Sequence, residues 1–349
     1  MKYSIIKADL KKDRDDIVAL WSRNFPGVTK ERYHWIYENN PSGSALCWLA
    51  KCVENSSIIG ATALFPRRFL VNGRYIMAGI GGDLSVDKEH RGLGLALALQ
   101  KTKISEWCNE NKFNIVYGFP NKSSEFVDKK AGHSTVGDVI RMTKPLSSYY
   151  RLKKYINIPI VIKIVSKLID FGLRFMSKEK YYKGKNECYY EILSSFDKRF
   201  DALWGKVSTQ FSIVGERSSD YLNWRYACAP HKAYSVFTLI KNENKDIIGY
   251  IVFRKDENKV NIDDFLCHDM EQAFDSLVSC FINYQRDDGK DSISVIFAGT
   301  RIFINKLKEF GFSIRDNDSK LVVHSSDAEL LRYLLNIENW YLFFGDGDI

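Results

Sequence analysis

The sequence has no C-x-x-C pair. Its seven cysteines (Cys47, Cys52, Cys108, Cys188, Cys228, Cys267 and Cys280) are scattered, which argues against a structural zinc site or a disulfide framework. No metal is expected. No run reaches roughly 18 uninterrupted apolar residues, so no membrane span is expected either. The first residues, Met-Lys-Tyr-Ser-Ile-Ile-Lys-Ala-Asp, lack the apolar core of a signal peptide. A cytoplasmic location is the expectation. What is plentiful is aromatic, with 19 Tyr and 22 Phe among 45% hydrophobic and 27% charged residues, the composition of a folded protein. At 349 residues the chain is long for one core, and two domains are the default. A net charge of +8 suggests an anionic ligand or surface. Read as spread along the chain, it does not by itself indicate nucleic acid, and no nucleic-acid partner is expected.

The chain repeats itself. Trp35-Ile-Tyr37-Glu-Asn-Asn-Pro41 echoes Trp224-Arg-Tyr226-Ala-Cys-Ala-Pro230, and Ile58-Ile59-Gly60 echoes Ile247-Ile248-Gly249 at the same offset. Upstream, Ala19-Leu20-Trp21 pairs with Ala202-Leu203-Trp204. Constant order and near-constant spacing indicate two copies of one α/β unit. Trp35, Tyr37, Trp224 and Tyr226 are expected to pack helices, because both copies carry them.

In the first copy, Tyr3 to Ala8 reads as a strand and Asp13 to Arg23 as a helix. Asn72-Gly73 marks a hairpin turn. The apolar run Ile80 to Val86 ends just before Arg91-Gly-Leu-Gly-Leu-Ala96, which opens an Ala/Leu-rich helix. Free backbone N–H groups at such a helix start, with the positive end of its dipole, suit a pyrophosphate. Ser123 to Ala131 reads as a short helix ended by Gly132. The connector, Ser147 to Lys185, mixes Ile, Val, Leu and Phe with Lys163, Lys167 and Arg174. It could lie on an anionic membrane through residues 151–180. The favoured reading is packing helices with their lysines in solvent, because Pro159 and Gly172 interrupt the period.

The order of elements, with Arg91, Gly94 and Ala96 in the pattern Arg/Gln-x-x-Gly-x-Gly/Ala, resembles the GNAT N-acyltransferase superfamily. A second family motif follows from Asn121, with Ser124, Lys130 and Gly132 at its later positions. The resemblance covers residues 1–145 well and 187–349 weakly. It implies an α/β (α+β) fold of two GNAT-like domains, each a mixed, mostly antiparallel sheet flanked by helices. Expected boundaries are 1–146 for acyl-CoA binding, 147–186 for the connector and 187–349 for a degenerate unit that shapes the acceptor site. It also implies that Arg91, Gly92, Leu93, Gly94, Leu95 and Ala96 hold the coenzyme A pyrophosphate. Leu84, Ser85 and Val86 would flank the pantetheine arm, with a backbone N–H near Val86 facing the thioester carbonyl. Asn121 and Ser124 would complete the cofactor site.

The family's usual tyrosine proton donor is replaced by Asp128. An ionised Asp cannot donate, whereas a desolvated one with a raised pKa could. A water or Tyr117 could serve instead. Asp83 is the candidate base, directly or through water; its alternative is a solvent-facing strand residue. His133 replaces the usual phenylalanine and is expected to pack. The second copy lacks the loop: His268-Asp-Met-Glu-Gln-Ala-Phe274 is acidic where a phosphate would sit. One active centre per chain is therefore expected. The tail, Trp340-Tyr-Leu-Phe-Phe-Gly345-Asp-Gly-Asp348, reads as a docked strand followed by a solvated acidic end; Asp346 or Asp348 reaching the acceptor is the less favoured reading. The expected activity is acetyl transfer from acetyl-CoA to a primary amine of a small polar acceptor, such as an amino sugar. The alternatives are a Fem-type aminoacyltransferase using aminoacyl-tRNA, or a non-catalytic acyl-CoA-binding module.

Overall fold

The computed structural model describes residues 3–25, 29–92, 94–110, 113–175, 177–181, 187–230 and 232–347. The first half runs β1 (Tyr3–Lys7), α1 (Arg14–Asn24), α2 (Lys30–Tyr33), β2 (Leu46–Cys52), β3 (Ile58–Val71), β4 (Arg74–Val86), α3 (Leu95–Glu110), β5 (Ile115–Gly118), α4 (Lys122–Ala131), β6 (Ser134–Asp138) and β7 (Ile140–Pro145). The connector holds α5 (Tyr149–Leu152), α6 (Pro159–Phe175) and α7 (Lys178–Tyr181).

The second half repeats the order. It runs β8 (Cys188–Leu193), α8 (Lys198–Val207), an added β9 (Ile213–Gly215), α9 (Ser219–Leu222), β10 (Ser235–Lys241), β11 (Ile247–Asp256) and β12 (Lys259–Cys267). It continues with α10 (Gln272–Asp287), β13 (Ser292–Gly299), α11 (Arg301–Glu309), β14 (Ser313–Arg315) and β15 (Lys320–His324). Besides β9, two elements have no counterpart in the first half: α12 (Ala328–Leu334) and β16 (Trp340–Phe343).

Local chemistry accounts for the punctuation. Asn72 and Gly73 both take positive φ, 48° and 76°, as a tight turn between β3 and β4 requires. Asn121 caps α4 by accepting from the N–H groups of Ser123 and Ser124, and Gly132 ends it in the left-handed conformation. Each Trp-x-Tyr repeat forms a π-helical turn, closed by Asn39 N–H to His34 O and by Cys228 N–H to Asn223 O, both 2.9 Å. The repeats do pack helices, and they do so against each other. Trp35 and Trp224 stack at 5.2 Å. Each indole N–H donates to the other's backbone carbonyl, at 2.7 and 2.9 Å.

The two halves exchange strands. β15 of the second half lies between β5 and β6 of the first, antiparallel to both. Reciprocally, β7 of the first half lies between β13 and β14 of the second. The two sheets also merge, through the order β3-β9-β16-β13, into one mostly antiparallel sheet of mixed direction. The cores are shared accordingly. Leu321, Val323, Trp340 and Leu342 belong to the core of the first half, and Leu70, Met142 and Leu146 to that of the second.

The tail departs from the expected solvated end. β16 docks as a strand, and Asp346 beyond it is buried, 2% exposed, between the halves. Its carboxylate accepts from Arg67 at 2.7 Å, from Arg217 at 2.9 Å and from the Phe343 N–H at 2.9 Å. Burial opposes ionisation here, but the Arg217 and Arg67 charges outweigh it and hold Asp346 below the usual carboxylate range. Gly345 is sterically required, because a Cβ there would stand 1.9 Å from the Tyr226 hydroxyl. Asp346→Asn leaves two buried guanidinium groups short of a counter-charge. Removing one partner of a buried pair costs about 3–5 kcal/mol, and urea unfolding should show a loss of that order. A change below about 1 kcal/mol would mean that the tail does not hold the halves together.

Candidate active site

β4 and β5 pair in parallel only from Ala78 to Ile80 against Ile115 to Tyr117. Beyond that they splay, because a bulge breaks the β3–β4 register around Thr62 and places Asp83 at φ 51°. The V between them opens into a cavity of 490 Å³. Its walls are Gly81 to Leu84 of β4, Tyr117 to Asn121 after β5, Gln100 and Lys103 of α3, and Ser124 and Asp128 of α4. Ser319 and Val322 of the second half close one side. The second half has the same splay, with β12 and β13 paired only from Lys259 to Ile262 against Ser292 to Val295. There β16 fills the V, pairing with Phe297 to Gly299.

The two carboxylates of the cavity have opposite surroundings. Asp83 is 9% exposed and so is not a solvent-facing strand residue. Both its oxygens accept from Arg32, at 2.9 and 3.0 Å, and the Tyr37 hydroxyl donates at 3.0 Å. Asp83 is thus held in place by a two-pronged ion pair and a phenol. Asp128 is buried and accepts from the Gln100 amide, itself held by Thr62. Burial raises the Asp128 pKa, against the nearby Lys103 charge and the Gln100 hydrogen bond.

Lys103, Gln100 and Arg32 are site residues that the motifs do not contain. The Lys103 ammonium lies 3.4 Å from where a Cβ on Gly81 would project, in the gap between the strands. Gln100 and Lys103 are polar at i, i+3 within the buried stripe of Leu95, Leu99, Ile104 and Trp107. A polar pair at core positions is the signal that could have found them. Tyr117 does line the cavity, but its hydroxyl donates to the Asp346 carbonyl at 2.7 Å, which ties it to the tail.

The loop residues stand at the start of α3, about 12 Å along the helix from Lys103. Gly92 and Gly94 take φ 85° and 75° with open space around them, so glycine is required there by conformation and leaves the backbone approachable. Arg91 donates to the Val86 carbonyl and the Asn24 amide oxygen, both 3.0 Å, which anchors the loop to β4 and α1. Leu95 is buried and begins the helix. Ala96 follows it, partly buried. Leu93 lies outside the described residues, as does Asp348. Leu84 lines the cavity, whereas the side chains of Ser85 and Val86 are buried away from its walls. Asn121 and Ser124 line it, with the Asn121 Oδ1 committed to the cap. An open glycine loop at a helix N-terminus beside a splayed strand pair suits the coenzyme A pyrophosphate and pantetheine.

A splayed parallel strand pair within an antiparallel sheet, with a glycine loop after its first strand, is the arrangement that the resemblance to acyl-CoA-dependent transferases implies. Residues 5–130 match the family model of the acetyltransferase (GNAT) domain, so this part of the chain is similar to the GNAT acetyltransferases. None of the curated proteins matches it. Among solved structures, a conserved protein of Enterococcus faecalis ("Probable N-Acyltransferase") is 12% identical and superposes at a TM-score of 0.65, covering 93% of this chain and 73% of that one. A GCN5-related N-acetyltransferase from Anabaena variabilis is 13% identical at 0.63, with the same coverage. Eis1 from Mycobacterium abscessus is 12% identical at 0.61, covering 95% of this chain and 76% of its own. At such identities the likeness is one of fold.

His133 packs as expected, buried at the cavity edge against His324. Burial, with the charges of Lys103 and His324, pushes its pKa down to about 3. The folded state thus keeps a neutral imidazole that the unfolded chain protonates near pH 6.5. Its contribution to stability is complete above about pH 6.5 and is lost as the pH falls towards 3, by at most about 1.4 kcal/mol per pH unit. His133→Phe should flatten the fall of Tm across that window relative to wild type. Parallel curves would show that His133 is not the titrating group.

Proposed function

We propose that the protein transfers an acetyl group from acetyl-CoA to the primary amine of a small polar acceptor, such as an amino sugar. One observation carries this reading: an open cavity between the splayed strands, walled in part by the α3 helix that the Arg91 to Ala96 loop opens, holds two carboxyl groups, Asp83 paired with Arg32 and Asp128 buried. None of the three solved structures named above is described as a Fem-type aminoacyltransferase, and nothing in the cavity favours that alternative.

Residues 1–146 bind the acyl donor, 147–186 connect, and 187–349 contribute the acceptor-side wall through Ser319 and Val322. Backbone N–H groups at Gly92, Gly94, Leu95 and Ala96 hold the pyrophosphate, and Arg91 fixes their loop. Asn121, Ser124 and Leu84 line the pantetheine path, with the β4 backbone around Ser85 and Val86 facing the carbonyl. The amine nitrogen attacks the thioester carbon, so a carbon–nitrogen bond forms and the carbon–sulfur bond breaks. The amine proton passes to Asp83 through a water, because Arg32 and Tyr37 already occupy the carboxylate. Asp128, whose pKa burial raises, gives its proton to the departing sulfur, and exchange with solvent resets both groups. The acidic start of α10 and the strand-filled V leave the second half without an equivalent site.

Calorimetry should detect acetyl-CoA binding to the wild type, and its absence at millimolar ligand would sink the proposal. Gly94→Phe should weaken that binding at least about tenfold, because φ 75° strains any side chain there. Asp128→Asn should lower kcat about 100-fold and remove the loss of activity at high pH that deprotonation of the acid produces. Free-thiol release across a library of amines reads both out. An Asp128→Asn enzyme at full rate would move the acid role elsewhere.

A further inference from the structure

The connector corrects two expectations. Pro159 opens α6 at the position where its missing N–H is harmless, and the helix runs through Gly172 to Phe175. Nor do its apolar residues pack inward. Ile162 and Ser166 are buried on the side facing the body, where Ser148 ties down Asp170 and the Ser166 carbonyl. On the opposite side Ile160, Ile164, Leu168, Phe171 and Phe175 recur at helical spacing, with 72%, 57%, 69%, 69% and 54% of their surface in solvent. Tyr155 and Tyr181 stand exposed at its two ends.

The charge is not spread along the chain either. Residues 147–185 hold ten Lys and Arg against Asp170 and Glu179, a surplus equal to the whole chain's +8, so the remainder is neutral. Both acids are turned inward. Asp170 accepts from the Ser148 N–H at 2.7 Å, and Glu179 is buried between Lys144 and Arg286 at 3.2 and 3.1 Å. Lys163, Lys167 and Arg174, all exposed, flank the apolar stripe. An outward apolar face beside an all-basic flank is complementary to an anionic lipid surface, with hydrocarbon for the stripe and phosphate for the cations. No described helix is long and apolar enough to cross a membrane.

We propose that α6 docks the protein in the plane of an anionic phospholipid surface, with Ile160 to Phe175 in the acyl boundary and the lysines among the headgroups. None of these residues lines the acyl-transfer cavity, so docking and acetyl-CoA binding are separable.

The test is cosedimentation with vesicles of phosphatidylcholine containing about 40% phosphatidylglycerol. Wild type should pellet with them at least about tenfold more than with pure phosphatidylcholine, and about 0.5 M salt should release it. Ile164→Ser/Leu168→Ser/Phe171→Ser should remain in the supernatant with unchanged circular dichroism and acetyl-CoA affinity. Lys163→Glu/Lys167→Glu/Arg174→Glu should lose the preference for anionic vesicles. Wild type left in the supernatant with anionic vesicles overturns the proposal, and so does equal pelleting of wild type and the triple-serine variant. A lipid-free wild-type dimer in analytical ultracentrifugation that the triple-serine variant abolishes also overturns it, by assigning the face to a second copy.

Discussion

A single buried carboxylate, Asp346, sits where the halves meet and ties a strand from each to the tail. Arg67 comes from β3 and has its ion pair with Asp346, and Arg217 comes from the segment after β9. Arg217 also pairs with Asp264 of β12, whose other oxygen takes the Tyr250 hydroxyl, so the ion network runs from the first sheet into the core of the second. Arg225 holds the carbonyls of Gly345 and Gly347 and fixes the chain on either side of Asp346. A buried ion cluster contributes little net stability compared with apolar packing, but it tolerates few alternative registers. Its consequence is geometric. The tail carbonyl that meets Tyr117 also sets the end of β5, and with it one wall of the cavity.

The near-symmetry of the halves makes their one difference informative. Both units bulge on the fourth strand, both splay it from the fifth, and both carry the stacked Trp-x-Tyr turn. In the second unit the gap is closed by β16, which satisfies the freed edge of β13 with backbone hydrogen bonds and packs Tyr341 and Phe343 against Phe297 and Phe303. An open V leaves strand edges unpaired and is worth keeping only where a ligand completes it. Filling one V and sparing the other is consistent with a single centre per chain. It also explains how the second unit can carry acidic residues at the start of α10 without penalty.

Much of this was legible in the residues. The Trp-x-Tyr and Ile-Ile-Gly echoes exposed the duplication, the glycine-spaced run after Val86 marked the loop, and Gly132 marked the end of the short helix after Asn121. The strand exchange was not legible. Alternation reports which face of β7 and β15 is buried, and that pattern is the same whichever neighbour the strand joins. Asp346 was misread because an acidic residue near the end of a sequence is ordinarily solvated, and its partners lie 279 and 129 residues away. The α6 stripe was visible as spacing, but only the fold shows which face the body leaves uncovered.

The replacement of the usual tyrosine by Asp128 changes what the site must control. A phenol is neutral at physiological pH wherever it sits, so a tyrosine acid needs only position. A carboxyl group is a proton donor only while burial outweighs every cation near it, and Lys103 opposes that burial directly. On the proposed reading, the packed His133 and the neutral state of its imidazole are part of the acid, since a charged His133 would pull the Asp128 pKa down, as the Gln100 hydrogen bond already does. On that reading the two carboxyl groups take different roles, Asp83 paired with Arg32 and Asp128 buried beside Gln100.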